Sequence, residues 1–291
     1  MLRDARDSGL VMGMRNIIKE AVRSLVDGVS PGLGLLYRNI RDRKWAAKPV
    51  KLKYGFLLCS PPAFLTDTRE KDERKVFDNE LGAADVCVDI GANVGFYACL
   101  ARQRGKRVVA IEPLAQNLFF LYRNLTINNF TDVEVFPVGL AGKPGLEVIY
   151  GFSDIASFIP GWSRAADSKF EQVALSTLDI LMGDRFTGQR LLIKIDVEGF
   201  EFEVLKGASR ILESSPKPTW IVEVLLRNPL NGMINQHFCD VFRVFWQHGY
   251  NSYQIEGTLR LVNEETVEQW MRDKTLGRSS HNFLFRENLN G

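Results

Sequence analysis

Several features that would direct a reading elsewhere are scarce or missing. Only four cysteines occur in 291 residues, Cys59, Cys87, Cys99 and Cys239. No two form a C-x-x-C pair, so their spacing gives no metal or redox motif. Cys87 and Cys99 fall in apolar surroundings, which predicts reduced, buried thiols in a cytoplasmic protein. The formal net charge is +2 and no long basic run occurs, so no nucleic-acid partner is expected. No run of about 18 uncharged apolar residues exists, and no membrane span is expected. The N-terminus carries Arg3, Asp4, Arg6 and Asp7 without a clean apolar stretch, against a secretory signal. Internal repeats and low-complexity tracts are absent, and no N-P-P-Y-type sequence of base-modifying DNA methyltransferases occurs.

The chain is organised around Val86–Tyr97, V-C-V-D-I-G-A-N-V-G-F-Y. A short apolar run rich in β-branched residues breaks at Gly91, and Gly95 opens a helical segment over 96–104. Strand, glycine turn and helix begin a βαβ unit, with unpaired helix N–H groups facing any ligand at the turn. Gly91 and Gly95 are four apart with Asn93 between them. The second glycine of the dinucleotide fingerprint is therefore missing, and no Gly-Lys-Ser/Thr of a P-loop follows.

From 85 onward strands and helices alternate, which predicts a parallel sheet with helices on both faces. The expected strands lie at 85–90, 107–112, 133–138, 191–197, 220–224, 251–255 and 282–286, with a further strand at 146–150. The expected helices lie at 96–104, 115–128, 201–212 and 236–248. Residues 151–170 read as a long loop, of the kind that is usually functional or mobile. Residues 1–80 are assigned to an N-terminal cap and 81–291 to the catalytic domain. The cap has an amphipathic helix over 14–27, a short helix over 33–44, a hairpin over 50–58, a solvated charged stretch over 66–75 and a helix over 70–81 leading to Gly82. The helix over 14–27 could serve as a homo-oligomer contact.

Glu112 ends the second strand, 23 residues after Asp89. An acid about 20 residues beyond such a turn accepts hydrogen bonds from ribose hydroxyls. The fourth strand carries Lys194 and Asp196 on one face, followed by Glu198, Gly199 and Glu201. Acids at a helix start are favoured by the dipole, which accounts for Glu201 and Glu203. It does not account for a lysine and an aspartate inside an apolar strand. Such charges need partners, so Lys194 should pair with Asp196 or Glu223. His237 and His281 read as lone surface or core histidines.

These residues resemble the FkbM family of S-adenosylmethionine (SAM) methyltransferases. The matching segments are V-D-I-G-A-N-V-G-F-Y (88–97), A-I-E-P (110–113), N-x-x-x-N-N (124–129), S-T-L-D (176–179), L-I-K-I-D-V-E-G-F-E-x-x-V-L-K-G-A (192–208) and I-V-E-V (221–224). The likeness covers about 54 to 286. It implies a Rossmann-like class I methyltransferase fold, with a mostly parallel seven-stranded sheet, helices on both faces and an N-terminal extension. It further implies that Asp89, Gly91, Ala92, Asn93, Gly95 and Glu112 bind SAM, with Val138 and Gly139 near the adenine.

The same likeness implies O-methylation of a hydroxyl on a sugar, glycan or other small-molecule acceptor. A hydroxyl is a weak nucleophile, so a base or a metal should assist. Asp196 and Glu198 are the base candidates, with Lys194 holding one of them, and the two acids could also take Mg²⁺. Phe158, Trp162, Arg164 and Glu201 are the candidate acceptor residues. Two other readings stay open: an NAD- or nucleotide-sugar-binding oxidoreductase, which needs the missing glycine, and a non-catalytic partner protein with this fold.

Overall fold

The computed structural model describes residues 40–61, 71–162, 170–277 and 280–287. The helix expected over 14–27 and the candidate Arg164 lie outside the described residues. The chain divides into Met1–Pro49 and Val50–Gly291. In the first unit, 40–46 are helical. The hairpin and the helix that follows it thus belong to the larger unit, where the sequence placed them in a cap ending near 80.

The larger unit opens with the short hairpin β1 (Val50–Lys51) and β2 (Leu57–Leu58), then α1 (Lys71–Ala83). The stripe Glu73, Phe77, Leu81 on α1 is buried, with Arg74 beside it. The charge-dense start of this helix was expected in solvent. Helical spacing instead carries Glu73 onto the same face as Phe77 and Leu81.

The main sheet then forms from β3 (Val86–Ile90), β4 (Arg107–Ile111) and β5 (Glu134–Phe136), with α2 (Phe96–Gln103) and α3 (Ala115–Ile127) as crossovers. Between β5 and the next core strand lies an insertion. It holds β6 (Gly139–Leu140), β7 (Gly145–Tyr150) and β8 (Phe170–Ser176), a separate three-stranded sheet ordered β6-β8-β7. The chain continues through α4 (Leu178–Met182), β9 (Leu191–Ile195), α5 (Glu201–Lys206), α6 (Ser209–Leu212), β10 (Thr219–Glu223), α7 (Phe238–Gln247), β11 (Tyr250–Glu256), β12 (Thr258–Val262), α8 (Glu264–Asp273) and β13 (Asn282–Glu287).

The strand order is β12-β11-β13-β10-β9-β3-β4-β5. The pairs from β10 through β9, β3 and β4 to β5 are all parallel, while β13 runs antiparallel to β10. The sheet has eight strands rather than the expected seven. The additional strand, β12, folds back on β11 around Gly257, at φ 62°, and forms a mostly exposed edge with weak apolar patterning. The helix expected over 201–212 is two short helices, α5 and α6.

The two faces of the sheet differ chemically. Val88, Ile90, Ile193, Ile195, Trp220 and Val222 project to one side and join Phe242, Phe245 and Phe285 in a single buried cluster. The Phe245 and Phe285 rings stack at 3.9 Å. Burial of each such side chain contributes about 1.5–3 kcal/mol. Alternation sends Asp89, Lys194 and Glu223 to the other side, and register places Lys194 beside Asp89 on β3 and Ile221 on β10. One face is therefore hydrophobic core, and the other carries a charged column leading to the carboxyl ends of the strands. Ligands bind at this edge in open α/β sheets.

Candidate functional site

The glycine turn follows β3, with Gly91 at φ 78°, Asn93 at φ 51° and Gly95 at φ 85°. Gly91 and Ala92 donate backbone N–H groups to the Ile111 carbonyl at 2.9 and 3.0 Å. A Cβ on Gly91 would lie 1.9 Å from the Asp196 carbonyl oxygen. Glycine is thus required where β9 leaves the sheet, and the close approach is by the chain itself rather than only by a ligand. Gly95 is held by its left-handed backbone at φ 85°, and a Cβ there would also meet the Leu121 side chain, at Cδ1, 2.3 Å away. Asp89 is buried and accepts the Ala98 N–H at 3.0 Å, tying β3 to α2. Asp89 and Gly95 therefore lie beneath the turn. Gly91, Ala92 and Asn93 line an open cavity of about 390 Å³, within the usual size range of small-molecule sites, about 300–1,000 Å³.

Glu112 lies at the floor of this cavity, 3% exposed. Its Oε2 accepts the Asn93 N–H at 2.8 Å, and its Oε1 accepts the Leu114 N–H at 2.9 Å and Asn117 Nδ2 at 3.1 Å. Burial raises its pKa to about 7, against the pull of these donors. Two cavity-lining groups are conspicuous for what they leave unmet. Asn93 Oδ1 is buried without a hydrogen-bond partner. Arg74, 7% exposed, stacks its guanidinium 4.3 Å over the Phe96 ring, and its Nε is likewise buried without a partner. Arg74 forms no ion pair with a described residue. A buried acceptor, a buried cation and a buried carboxylate need complementary groups. An α-amino group, an α-carboxylate and a ribose, the parts of SAM, match that set. Val138 and Gly139 also line the cavity, beside Phe158.

At the end of β9, Lys194 Nζ lies 2.9 Å from Asp196 Oδ2 and 3.3 Å from Glu73 Oε1, and 4.7 Å over the Tyr97 ring. The expected Lys194–Asp196 pair is present. Glu73 is a third member that the sequence reading left in solvent. Lys194 and Glu73 are 1% and 2% exposed, whereas the Asp196 side chain is 30% exposed and faces the cavity. Glu198 follows at φ 52°, a left-handed conformation that non-glycine residues rarely adopt. Burial, reinforced by the Asp196 charge, raises its pKa to about 8. Burial also drives Glu223 well above the carboxylate range, with the Asp196 and Glu198 charges adding to it. Near neutral pH Glu198 therefore holds a proton, whereas Asp196 is the acid of this cluster that is paired with a cation and faces the cavity.

The other acceptor candidates have different surroundings. Phe158 lines the cavity and packs on Phe200 with ring centroids 4.8 Å apart. Trp162 is 1% exposed, lies against Gly199 and donates Nε1–H to Glu198 Oε2 at 3.4 Å. Its ring is covered rather than offered to a ligand, so it positions Glu198. Ser157 Oγ adds a bond to the Glu198 carbonyl at 2.8 Å. Glu201 is also covered. It accepts the Gly199 N–H at 2.9 Å, and burial raises its pKa to about 7. Among the described residues, no three His, Cys, Asp or Glu side chains converge as metal ligands, and no helix is long and apolar enough to cross a membrane. None of the four cysteines is in a disulfide.

Sequence reasoning missed Glu73, Arg74, Asn117 and His281. Glu73 had a readable signal, the 73, 77, 81 stripe, and Arg74 is its chain neighbour. Asn117 and His281 reach the cavity only through tertiary folding.

The model of the methyltransferase FkbM domain matches residues 89–252. The hexuronic acid methyltransferase AglP of Haloferax volcanii is 28% identical over 147 residues, which are 50% of this chain. The chain spans 59% of the length of that curated relative. Among solved structures, an O-methyltransferase from Bacillus cereus in complex with S-adenosylhomocysteine (SAH) is 14% identical, with 91% of this chain and 96% of that one covered and a TM-score of 0.43. A SAM-dependent methyltransferase from Agrobacterium tumefaciens is 10% identical, with 82% and 69% covered and a TM-score of 0.42. The domain match alone spans more than half of the 291 residues, and the chain belongs to the FkbM family of SAM-dependent methyltransferases.

Proposed function

We propose that the protein methylates a hydroxyl group on a sugar, a glycan or another small-molecule natural product. The observation that carries this reading is the half-exposed Asp196 carboxylate, fixed by the buried Lys194 ammonium at the edge of the cavity. When bound, SAM supplies the electrophilic methyl carbon. Glu112 and Arg74 would hold the ribose and the α-carboxylate, and Asn93 Oδ1 the α-amino group, a reading supported by their burial at the cavity. The protein's work is then to align the acceptor oxygen with that carbon and to remove the hydroxyl proton.

Asp196 would take that proton as the new oxygen–carbon bond forms and the methyl carbon's bond to sulfur breaks, its electron pair staying on the sulfur of the departing SAH. A positioned base of this kind contributes about 10²–10⁴-fold in rate. An anionic carboxyl acceptor would need no base and would meet the negative Asp196, so the arrangement favours a hydroxyl. The likeness to a hexuronic acid methyltransferase supports a sugar as the acceptor class.

The test is transfer of a radiolabelled methyl group from SAM to a panel of methyl glycosides by the purified protein. Label in a methyl ether that withstands mild alkali is expected. Label released by alkali, as from a methyl ester, or no transfer to any glycoside, would overturn the hydroxyl reading.

A further inference from the structure

A second cleft, of about 630 Å³, adjoins the cofactor cavity. Asn228, Pro229, Leu230 and His281 line both, so they form the neck between them. The two spaces are opposite in charge. Asp196, Glu198 and Glu223 crowd the cofactor side. Among the described residues, no acid lines the second cleft, whereas Arg227 and Lys274 do.

Both cations are exposed, and neither forms an ion pair with a described residue. Arg227 is anchored by its Nε donating to the Gly232 carbonyl at 3.2 Å. This leaves the ends of its guanidinium fork for a planar anion. Lys274 ends α8 at φ 54°. At the neck, His281 Nδ1 is buried with no hydrogen-bond partner. Thr275 adds a hydroxyl, and Leu230 and Leu276 add apolar surface, while the Asn231 amide is engaged by Gly161, Trp162 and Met233 and shapes the wall. This mixture suits a pyranose, with hydroxyl edges and C–H faces.

We propose that the second cleft is the acceptor site and that it selects an anionic sugar, whose carboxylate or phosphate is held by Arg227 and Lys274 while a hydroxyl reaches Asp196 through the neck. The proposal rests on the sugar-acceptor reading above and adds the charge of the acceptor. The anion is kept on the basic side, away from the acids that surround the reacting hydroxyl. Attraction to exposed cations is screened by salt, so the selectivity weakens as ionic strength rises.

The experiment is calorimetric binding of three probes to the SAH-saturated protein: methyl glucuronide, glucose 1-phosphate and methyl glucoside. At least one anionic probe is expected to bind tenfold or more tightly than the neutral one, and which of the two does so identifies carboxylate or phosphate. The double variant Arg227→Ala/Lys274→Ala should lose that preference while SAH affinity and thermal midpoint stay as in the wild type. Equal binding of all three probes, no binding of any, or a preference that survives in the double variant would each overturn the proposal. The methyl-transfer assay separates the two claims. Methylation of neutral glycosides without anion preference leaves the hydroxyl reading standing and removes this one. Anion-selective binding without transfer does the reverse.

Discussion

Lys194 Nζ lies 2.9 Å from Asp196 Oδ2, so a fully buried cation anchors a carboxylate that itself faces the cavity at the carboxyl ends of the strands. Glu73, 3.3 Å away on the other side and 2% exposed, completes the set. Removing the cation takes an ion-pair partner from two carboxylates. Breaking a buried pair in this way costs about 3–5 kcal/mol. Lys194→Met should be destabilised by about that amount in denaturant titrations, and Glu73→Gln/Lys194→Met by less, because the double variant leaves no buried Glu73 charge. A Lys194→Met variant as stable as wild type would show that the triad contributes nothing to the fold.

Glu112 joins the glycine turn to the strand beside it through Asn93, Leu114 and Asn117. Glu112→Ala removes an acceptor for three donors as well as the proposed ribose partner. Charge-assisted hydrogen bonds contribute about 1.5–3 kcal/mol, so SAH affinity measured by calorimetry should fall at least tenfold. Glu112→Gln, which keeps one acceptor oxygen, should fall between the two. Unchanged affinity in Glu112→Ala would remove the residue from the site.

Arg74 offers a buried guanidinium to the same cavity. Arg74→Met should weaken SAH about tenfold, from loss of one charge-assisted contact. The binding of methylthioadenosine, which lacks the amino-acid part, should hardly change. Equal losses for both ligands would mean that Arg74 acts through packing on Phe96 and not through the α-carboxylate.

The buried acids give the ligand-free fold a pH dependence of definite sign, with Asp89 raised to about 6 and Glu223 well above the carboxylate range. Glu112 and Glu201 titrate at about 7 and Glu198 at about 8 in the folded chain, against roughly 4.3 for glutamate in an unfolded one. Between those values the folded state holds protons that the unfolded state has lost. Stability is therefore lost as pH rises through the folded values. The thermal midpoint of the ligand-free protein should fall from pH 5 to pH 8, and Glu201→Gln should flatten the slope. Asp85, lowered to about 2 by its bonds to Arg190, acts only below this window. A midpoint that climbs from pH 5 to pH 8 would contradict the protonated cluster.

Much of this site is legible in the sequence because its parts are local. The turn 91–95 and the block 194–201 are each continuous, and period-two alternation alone puts Lys194 and Asp196 on one face. What sequence could not supply is what meets what across the sheet. Glu73 looked solvated because its neighbours are charged, yet helical spacing aligns it with Phe77 and Leu81, and the fold delivers it to Lys194. Trp162 looked like a sugar platform, but the left-handed turn at Glu198–Gly199 leaves a glycine face that the indole covers. The edge strand β12 escaped because an exposed strand carries little apolar pattern. The glycine at 91 was legible as a necessity, though its closest neighbour is the Asp196 carbonyl of the same chain.

The most direct test of the central claim is Asp196→Asn, with SAH binding and single-turnover methyl transfer measured on the same preparation. The amide keeps the size of the side chain and removes its capacity as a base. SAH affinity should stay within about threefold of wild type while the transfer rate falls by about 10²–10⁴-fold, the usual contribution of a general base. Transfer at the wild-type rate, with SAH bound normally, would contradict the account.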